Sequence, residues 1–99
     1  MASKKIRWTE QALRDKFEIL EYWIERNKSK SYSEKLDRLI EEAIEQITEF
    51  PDQGKKTGFR DVRIRLVRSY LIYYLIDKDA LVVIRIWDSR RDPEKLTLR

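Results

Sequence analysis

Three arginines stand inside otherwise apolar runs, Arg63 and Arg65 in Val62-Arg63-Ile64-Arg65-Leu66-Val67 and Arg85 in Leu81–Trp87. A guanidinium presents a planar fork of donors that matches two oxygens of a phosphate at once. Two of them at a spacing of two leave an extended strand on the same side. Arg68, Arg90 and Arg91 fall at the ends of these runs, and Lys55 and Lys56 lie on the loop before them. Tyr73 and Trp87 add aromatic planes on which a base could stack, an interaction typically worth ~1–3 kcal/mol per base. If Arg85 shares the face of Arg63 and Arg65, three guanidiniums converge with no carboxylate among them, on the sheet face turned away from the helices. Arginine interleaved with aromatic rings is what an RNA-binding sheet requires. The plainer reading is that Arg63 and Arg65 are the solvated side of a half-buried strand and that Tyr73 and Trp87 pack in the core. The residues themselves carry the argument to a basic sheet with an acidic ligand, and no further.

Other chemistries are excluded by what the sequence lacks. It has no histidine and no cysteine, so His-type zinc sites, Ser-His-Asp triads, thiolate sites and disulfides are all ruled out. Its two glycines, Gly54 and Gly58, are too few for a glycine-rich phosphate loop or a dinucleotide fingerprint. Nothing in the pattern calls for a metal or a small-molecule cofactor. Any catalysis would fall to Lys, Arg, Tyr, Asp or Glu.

The 99 residues are enough for one domain, 1–99, with a single main core. Hydrophobic content of 41% beside 40% charged residues is a globular mixture, which argues against wholesale disorder. No apolar run reaches the ~20 residues of a membrane helix, and the opening Met1–Lys5 leads into no signal-like stretch, so a cytoplasmic location is expected. Residues 1–50 hold 10 Lys/Arg against 11 Asp/Glu, whereas residues 51–99 hold 12 against 7. The positive excess therefore belongs to the second half, which suits a polyanion or an acidic partner, or simply solubility.

The elements that must position these residues follow from periodicity. Lys4–Trp8 alternates as a first strand. Thr9 can cap a helix whose stripe is Leu13, Phe17, Leu20 and Ile24, widened by Ile19 and Trp23, ending near Arg26-Asn27-Lys28. Ser31-Tyr32-Ser33-Glu34 matches a capping box for a second helix, with Tyr32, Leu36, Leu39, Ala43, Ile47 and Phe50 inward and Glu41, Glu42, Glu45 and Glu49 outward. Phe50-Pro51 ends it, because the residue before proline is pushed out of helical geometry. A period of two then takes over: strands are expected in Arg60–Val67, Tyr70–Ile76 and Leu81–Trp87, joined by hairpins at Arg68-Ser69 and Asp77-Lys78-Asp79. The fold class is α+β, in the order β-α-α-β-β-β, with a helical hairpin packed on an antiparallel sheet. Ser89–Arg99 is a charged tail whose order the sequence leaves open.

This order of elements resembles the RelE/ParE superfamily of bacterial type II toxins, the plasmid-stabilisation type. The resemblance runs over nearly the whole chain, through Phe50-Pro51-Asp52-Gln53-Gly54, Val62–Val67, Tyr70-Leu71-Ile72-Tyr73-Tyr74 and Ile84-Arg85-Ile86-Trp87-Asp88-Ser89-Arg90-Arg91-Asp92-Pro93. It implies a growth-inhibiting toxin neutralised by a cognate antitoxin, with DNA gyrase as target in the ParE branch and the ribosome with its mRNA in the RelE branch. In the RelE case Arg63, Arg65, Arg85 and Arg90 are the expected catalytic residues of a metal-independent endoribonuclease. Lys55, Lys56, Arg68, Arg91, Tyr73 and Trp87 would then hold phosphate or nucleic acid. The sequence departs from that branch where Leu71 follows Tyr70 in place of an arginine, where no tyrosine follows Trp87, and where Asp88 stands at a common histidine position. The long hairpin and the proline–glycine loop look more like ParE. A third possibility is a basic binding module without enzymatic activity.

Overall fold

The computed structural model describes residues 4–92, 95 and 96. Strand β1 (Lys5–Trp8) runs into helix α1 (Glu10–Asn27), and α2 (Ser31–Glu49) follows after a short turn. A single 3-10 turn at Pro51–Gln53 leads to a two-residue strand β2 (Lys55–Lys56), then β3 (Arg63–Val67), β4 (Tyr70–Asp77) and β5 (Ala80–Asp88). The sheet order is β1-β5-β4-β3-β2. β2 to β5 pair antiparallel, while β1 pairs parallel to β5 with Ile6 opposite Leu81 and Trp8 opposite Val83. The sheet is thus mixed, a correction to the antiparallel sheet expected. The helical hairpin carries the chain across the sheet between β1 and β2, and this return sets β1 beside β5 in the same direction.

Local chemistry explains the element ends. The Thr9 hydroxyl accepts the Ala12 N–H at 3.1 Å, the expected cap, and also donates to the Ile84 carbonyl at 2.9 Å. The start of α1 is thereby pinned to β5. Lys28 ends α1 in a left-handed conformation at φ 52°. α2 starts at the predicted residue but without the capping box: Lys30 precedes it with no side-chain cap, and Ser29 Oγ accepts the Ser31 N–H at 3.2 Å. The buried Ser33 hydroxyl instead donates to the Leu20 carbonyl at 3.0 Å, fastening the two helices together. Lys16 adds an ion pair to Asp37 at 2.8 Å.

Two clusters line the two faces of the sheet. Beneath the helices, Leu36, Ile40, Ile44 and Ile47 of α2 pack on Ile72, Tyr74, Leu81, Val83 and Ile86. On the opposite face Val62, Tyr73, Ile84 and Trp87 cluster with Ile64, Leu71, Leu75 and the tail residue Leu96. A bulge between Tyr73 and Tyr74 sets Tyr73 opposite Arg85 and Tyr74 opposite Val83. It reverses the alternation of β5, so that Val83 and Ile86 both face the helices and Ile84 and Trp87 both face away.

The expected α1 stripe is rotated. Leu13 and Phe17 are 39% and 60% exposed, and the inner face is Ala12, Asp15, Ile19 and Trp23. Ala12 is fully buried, so α1 approaches the sheet closely there and turns the larger side chains at Leu13 and Phe17 outward. Phe50, read as the last inward residue of α2, is 62% exposed because the chain leaves helical geometry at that residue. The strand expected from Arg60 begins at Arg63: Phe59–Val62 close a turn, with Arg60 at φ 48°.

Candidate interaction surface

The arginines face the helices, a correction to the open basic face expected. Alternation along β3 separates Arg63 and Arg65 from Ile64, as read from the sequence, but Ile64 packs in the cluster away from the helices. Arg63 and Arg65 therefore turn toward the end of α2. Arg63 donates to the Gly54 carbonyl at 2.9 Å and the Asp52 carbonyl at 3.3 Å, with the Asp52 carboxylate at 3.4 Å. Arg65 donates to Gln46 Oε1 at 2.8 Å and Gln53 Oε1 at 3.2 Å. Both guanidiniums supply the donors that the carbonyl-rich end of α2 and the 3-10 turn lack.

Arg85 lies on the other side of β4, beneath α1. Its Nε sits 2.8 Å from Asp15 Oδ2 and its second terminal nitrogen 3.2 Å from Oδ1, both residues being 8% exposed. The same carboxylate accepts the Ile86 N–H at 3.0 Å. β1 pairs with β5 only as far as Val83, so Asp15 covers backbone that would otherwise be an open strand edge. The three arginines thus form two separate groups, and carboxylates accompany both.

The remaining expected residues are dispersed. Tyr73 and Trp87 are 7% and 3% exposed, so neither offers a face to a base. The Arg91 guanidinium lies 4.2 Å from the Trp87 ring centroid, and among the described residues Trp87 Nε1 has no hydrogen-bond partner. Arg90 is held by Asp88, with contacts of 2.9 and 2.7 Å. That pairing lowers the Asp88 carboxyl below the ordinary aspartate value and raises Arg90. Lys55, Lys56 and Arg68 are exposed on β2 and at the β3–β4 turn. A cleft of about 340 Å³ joins three cations, Lys56, Arg60 and Arg63, to two carboxylates, Asp52 and Asp61. A second, of about 310 Å³, lies between α1 and the end of β5, lined by Glu18, Tyr22, Tyr70, Asp88, Arg90 and Arg91.

Residues not singled out in the sequence hold this arrangement together. Tyr74 donates to the Pro51 carbonyl at 2.8 Å and accepts the Gly54 N–H at 3.0 Å. Tyr70 accepts the Trp23 indole N–H at 2.7 Å. Burial raises the phenols of Tyr70, Tyr73 and Tyr74, so all three are neutral at pH 7 and none is a ready general base. Asp15 was missed because the observed inner face of α1, where it lies between Ala12 and Ile19, differs from the stripe read through Leu13 and Phe17.

Arg63, Arg65, Arg85 and Arg90 thus have acceptors within the fold, Tyr73 and Trp87 are covered, and burial raises the phenols of Tyr70, Tyr73 and Tyr74. What the domain displays is contact surface, with Ile6, Leu13, Phe17, Tyr22, Phe50, Phe59 and Leu66 exposed among charged neighbours. The sequence matches the family described as the ParE toxin of the type II toxin–antitoxin system, parDE, over residues 6–93. The chain belongs to the ParE toxin family. Its fold is similar to a solved structure described as the chromosomal ParDE TA system from P. aeruginosa, with a TM-score of 0.74 at 16% identity over 85% of this chain and 94% of that one. Among curated proteins no sequence matches. ParE membership makes this a toxin domain of a type II toxin–antitoxin system, and among the described residues no helix is long and apolar enough to cross a membrane.

Proposed function

We propose that this toxin arrests growth by binding DNA gyrase, without cutting RNA, and that a cognate antitoxin neutralises it in the cytoplasm. The observation that carries the reading is the engagement of the arginines. Arg63, Arg65 and Arg85 hold α2 and α1 to the sheet, and the first two lie apart from the third. A phosphate ligand would have to displace carbonyl, amide and carboxylate acceptors that fasten the fold. Binding to a protein target needs no such rearrangement, because the exposed apolar residues and the cations of Lys55, Lys56 and Arg68 already face solvent. The ribosome-dependent ribonuclease remains the competing reading, and it requires Arg63 and Arg65 at the reacting phosphate.

Induced expression without antitoxin, followed by labelling of DNA and protein synthesis in the same cells, separates the two. Early loss of DNA synthesis with translation intact is the expected result. Prompt loss of translation would overturn the gyrase reading. A folded R63A/R65A variant is expected to retain growth arrest, whereas a ribonuclease using those groups would lose it.

A further inference from the structure

Among the described residues four other than glycine adopt a left-handed backbone, and all four are cations: Lys28 at φ 52°, Arg60 at 48°, Arg68 at 56° and Lys78 at 58°. That conformation strains an L side chain, and turns normally place glycine or asparagine there. Lys28 stands where α1 ends and Arg68 opens the β3–β4 turn, two positions that favour glycine in particular. A charge kept at a strained position points to a use for that charge. The surroundings divide the four. Lys78 lies between Asp77 and Asp79, and Arg60 shares its cleft with Asp52 and Asp61. Arg68 lies at the other end of β4, where the Ser89 N–H donates to the Ser69 carbonyl at 2.8 Å and so sets Arg90 and Arg91 beside it. α1 runs along β5 toward this same end: Asp15 meets Arg85, Tyr22 lines a cleft with Arg90 and Arg91, and the Trp23 indole bonds Tyr70. Arg26, Lys28 and Lys30 follow directly.

We propose that this end of the domain docks on the phosphate backbone of duplex DNA, so that the toxin holds the DNA of gyrase as well as gyrase itself. The choice of DNA rests on the gyrase reading; the surface itself calls for a polyanion. Residues 26–30, 68–69 and 88–91 hold six cations and one carboxylate, Asp88, a net of +5 in a chain whose total is +4. With the flanking Glu25 and Asp92 counted, cations still exceed carboxylates by three. All six cations are exposed. Arg26, Lys30 and Arg68 have no ion pair or side-chain hydrogen bond among the described residues, and Lys28 has only Glu25, at 3.7 Å with both side chains largely exposed. Cations carried on three separate segments suit a row of phosphates better than a single one. The three segments contain no apolar residue, whereas a protein interface would need an apolar centre. Between the cations stand Asn27, Ser29, Ser69 and Ser89, whose side chains are of the kind that hydrogen-bond phosphate oxygens. Such contacts displace counterions from DNA and read no sequence.

The test is fluorescence anisotropy of a labelled DNA duplex of about 20 base pairs and arbitrary sequence, titrated with the purified full chain. At ~0.1 M salt the wild type should bind with a dissociation constant on the order of 1–100 μM, and log affinity should fall against log salt with a slope of roughly −3 to −5. Lys28→Gly with Arg68→Gly relieves both left-handed positions, so this variant should melt a few degrees above the wild type. It should nevertheless bind the duplex on the order of tenfold more weakly, with a slope shallower by about 2. Lys78→Gly gives the same relief at the far end of the sheet and should leave DNA binding unchanged. Lys28→Arg with Arg68→Lys keeps the charges and should bind like the wild type. Absence of wild-type binding at ~0.1 M salt overturns the inference, as does an equal loss in Lys78→Gly. Tighter binding of an RNA duplex of the same length overturns the choice of DNA. Loss of antitoxin affinity in the double glycine variant, with DNA binding intact, overturns it in favour of an acidic protein. Supercoiling assays with gyrase separate this inference from the reading beneath it. Inhibition by the wild type that is undiminished in the double glycine variant overturns the DNA contact and leaves the gyrase reading standing. A wild-type chain that leaves supercoiling untouched overturns both.

Discussion

Asp15 and Arg85 lie 70 residues apart in sequence and 2.8 Å apart in space, both almost fully buried. Their pairing joins the first turns of α1 to β5 where β1 has ended. The Asp15 carboxylate makes a third contact, to the Ile86 N–H, so it completes the sheet as well as neutralising the arginine. An arginine that reads as a phosphate ligand in the sequence is thus held by a carboxylate of α1 inside the fold.

Removing one partner of a buried pair leaves the other charged and uncompensated. Asp15→Ala is expected to lower the unfolding free energy by about 3–5 kcal/mol. Asp15→Asn should cost less, because its amide oxygen can still accept the Ile86 N–H. Urea denaturation of the two variants beside the wild type checks this, and equal midpoints for Asp15→Ala and wild type would show the pair to be energetically idle.

The sequence made the elements legible because their periods differ: a 3.6 repeat through Leu36, Ile40, Ala43 and Ile47 against alternation in Arg63–Val67. It also carried the RelE/ParE resemblance, in the order of its segments. What it could not carry was which side of β3 the helices cover. Alternation separates Arg63 and Arg65 from Ile64 without saying which set is inside, and buried apolar residues normally mark the inside. Here both faces are apolar in part, since Leu96 joins Val62, Tyr73, Ile84 and Trp87 on the face away from the helices. The bulge at Tyr73/Tyr74 was equally hidden, because one extra residue leaves no mark in Leu81–Trp87, a run apolar at every position but Arg85. The parallel placement of β1 depends on where the hairpin returns, a tertiary fact with no local signature.

The loop that follows α2 is set by one phenol. Tyr74, fully buried, bridges the Pro51 carbonyl and the Gly54 N–H, and thereby fixes the segment that Arg63 also holds. Tyr74→Phe leaves both backbone groups without that partner and should cost about 1–3 kcal/mol. Gly54→Ala should be worse. A Cβ there would collide with the Tyr74 hydroxyl and lie 2.9 Å from the Ile64 carbonyl, so the strand itself would have to move. Thermal unfolding of both variants, with Gly54→Ala below Tyr74→Phe, is the expected order.

Acid should weaken the end of β5. Hydrogen bonding from Arg90 holds the Asp88 carboxyl below its ordinary value of 3.8, against a smaller opposing effect of burial. A carboxyl lowered in the folded state contributes stability at pH values above its unfolded value. That contribution fades as the pH falls below about 4 toward the folded value. In Asp88→Asn this part of the acid dependence should be missing. Urea titrations at pH 5 and pH 2.5 on both proteins test it: the wild type should lose more stability between the two pH values than the variant.

Alkali acts on the core by the opposite route. Burial raises the phenols of Tyr70, Tyr73 and Tyr74 above their ordinary value of 10.0, although hydrogen bonds from Trp23 and from Gly54 pull the first and last partly back. A phenol that resists ionisation in the folded state ionises more readily once the chain unfolds. Below pH 10 the two states bind the proton alike and stability is unaffected. Above it the unfolded chain gains by losing protons, so stability falls with each further rise until the folded-state value is passed. Tyr73 should contribute most plainly, because burial raises it without an opposing hydrogen bond among the described residues, and Tyr73→Phe should flatten the decline. Phenolate absorbance and circular dichroism followed together from pH 9 to 12 would show ionisation of the buried tyrosines coinciding with loss of structure. Their ionisation in a chain that keeps its native spectrum would mean that the sheet admits solvent to these rings without unfolding.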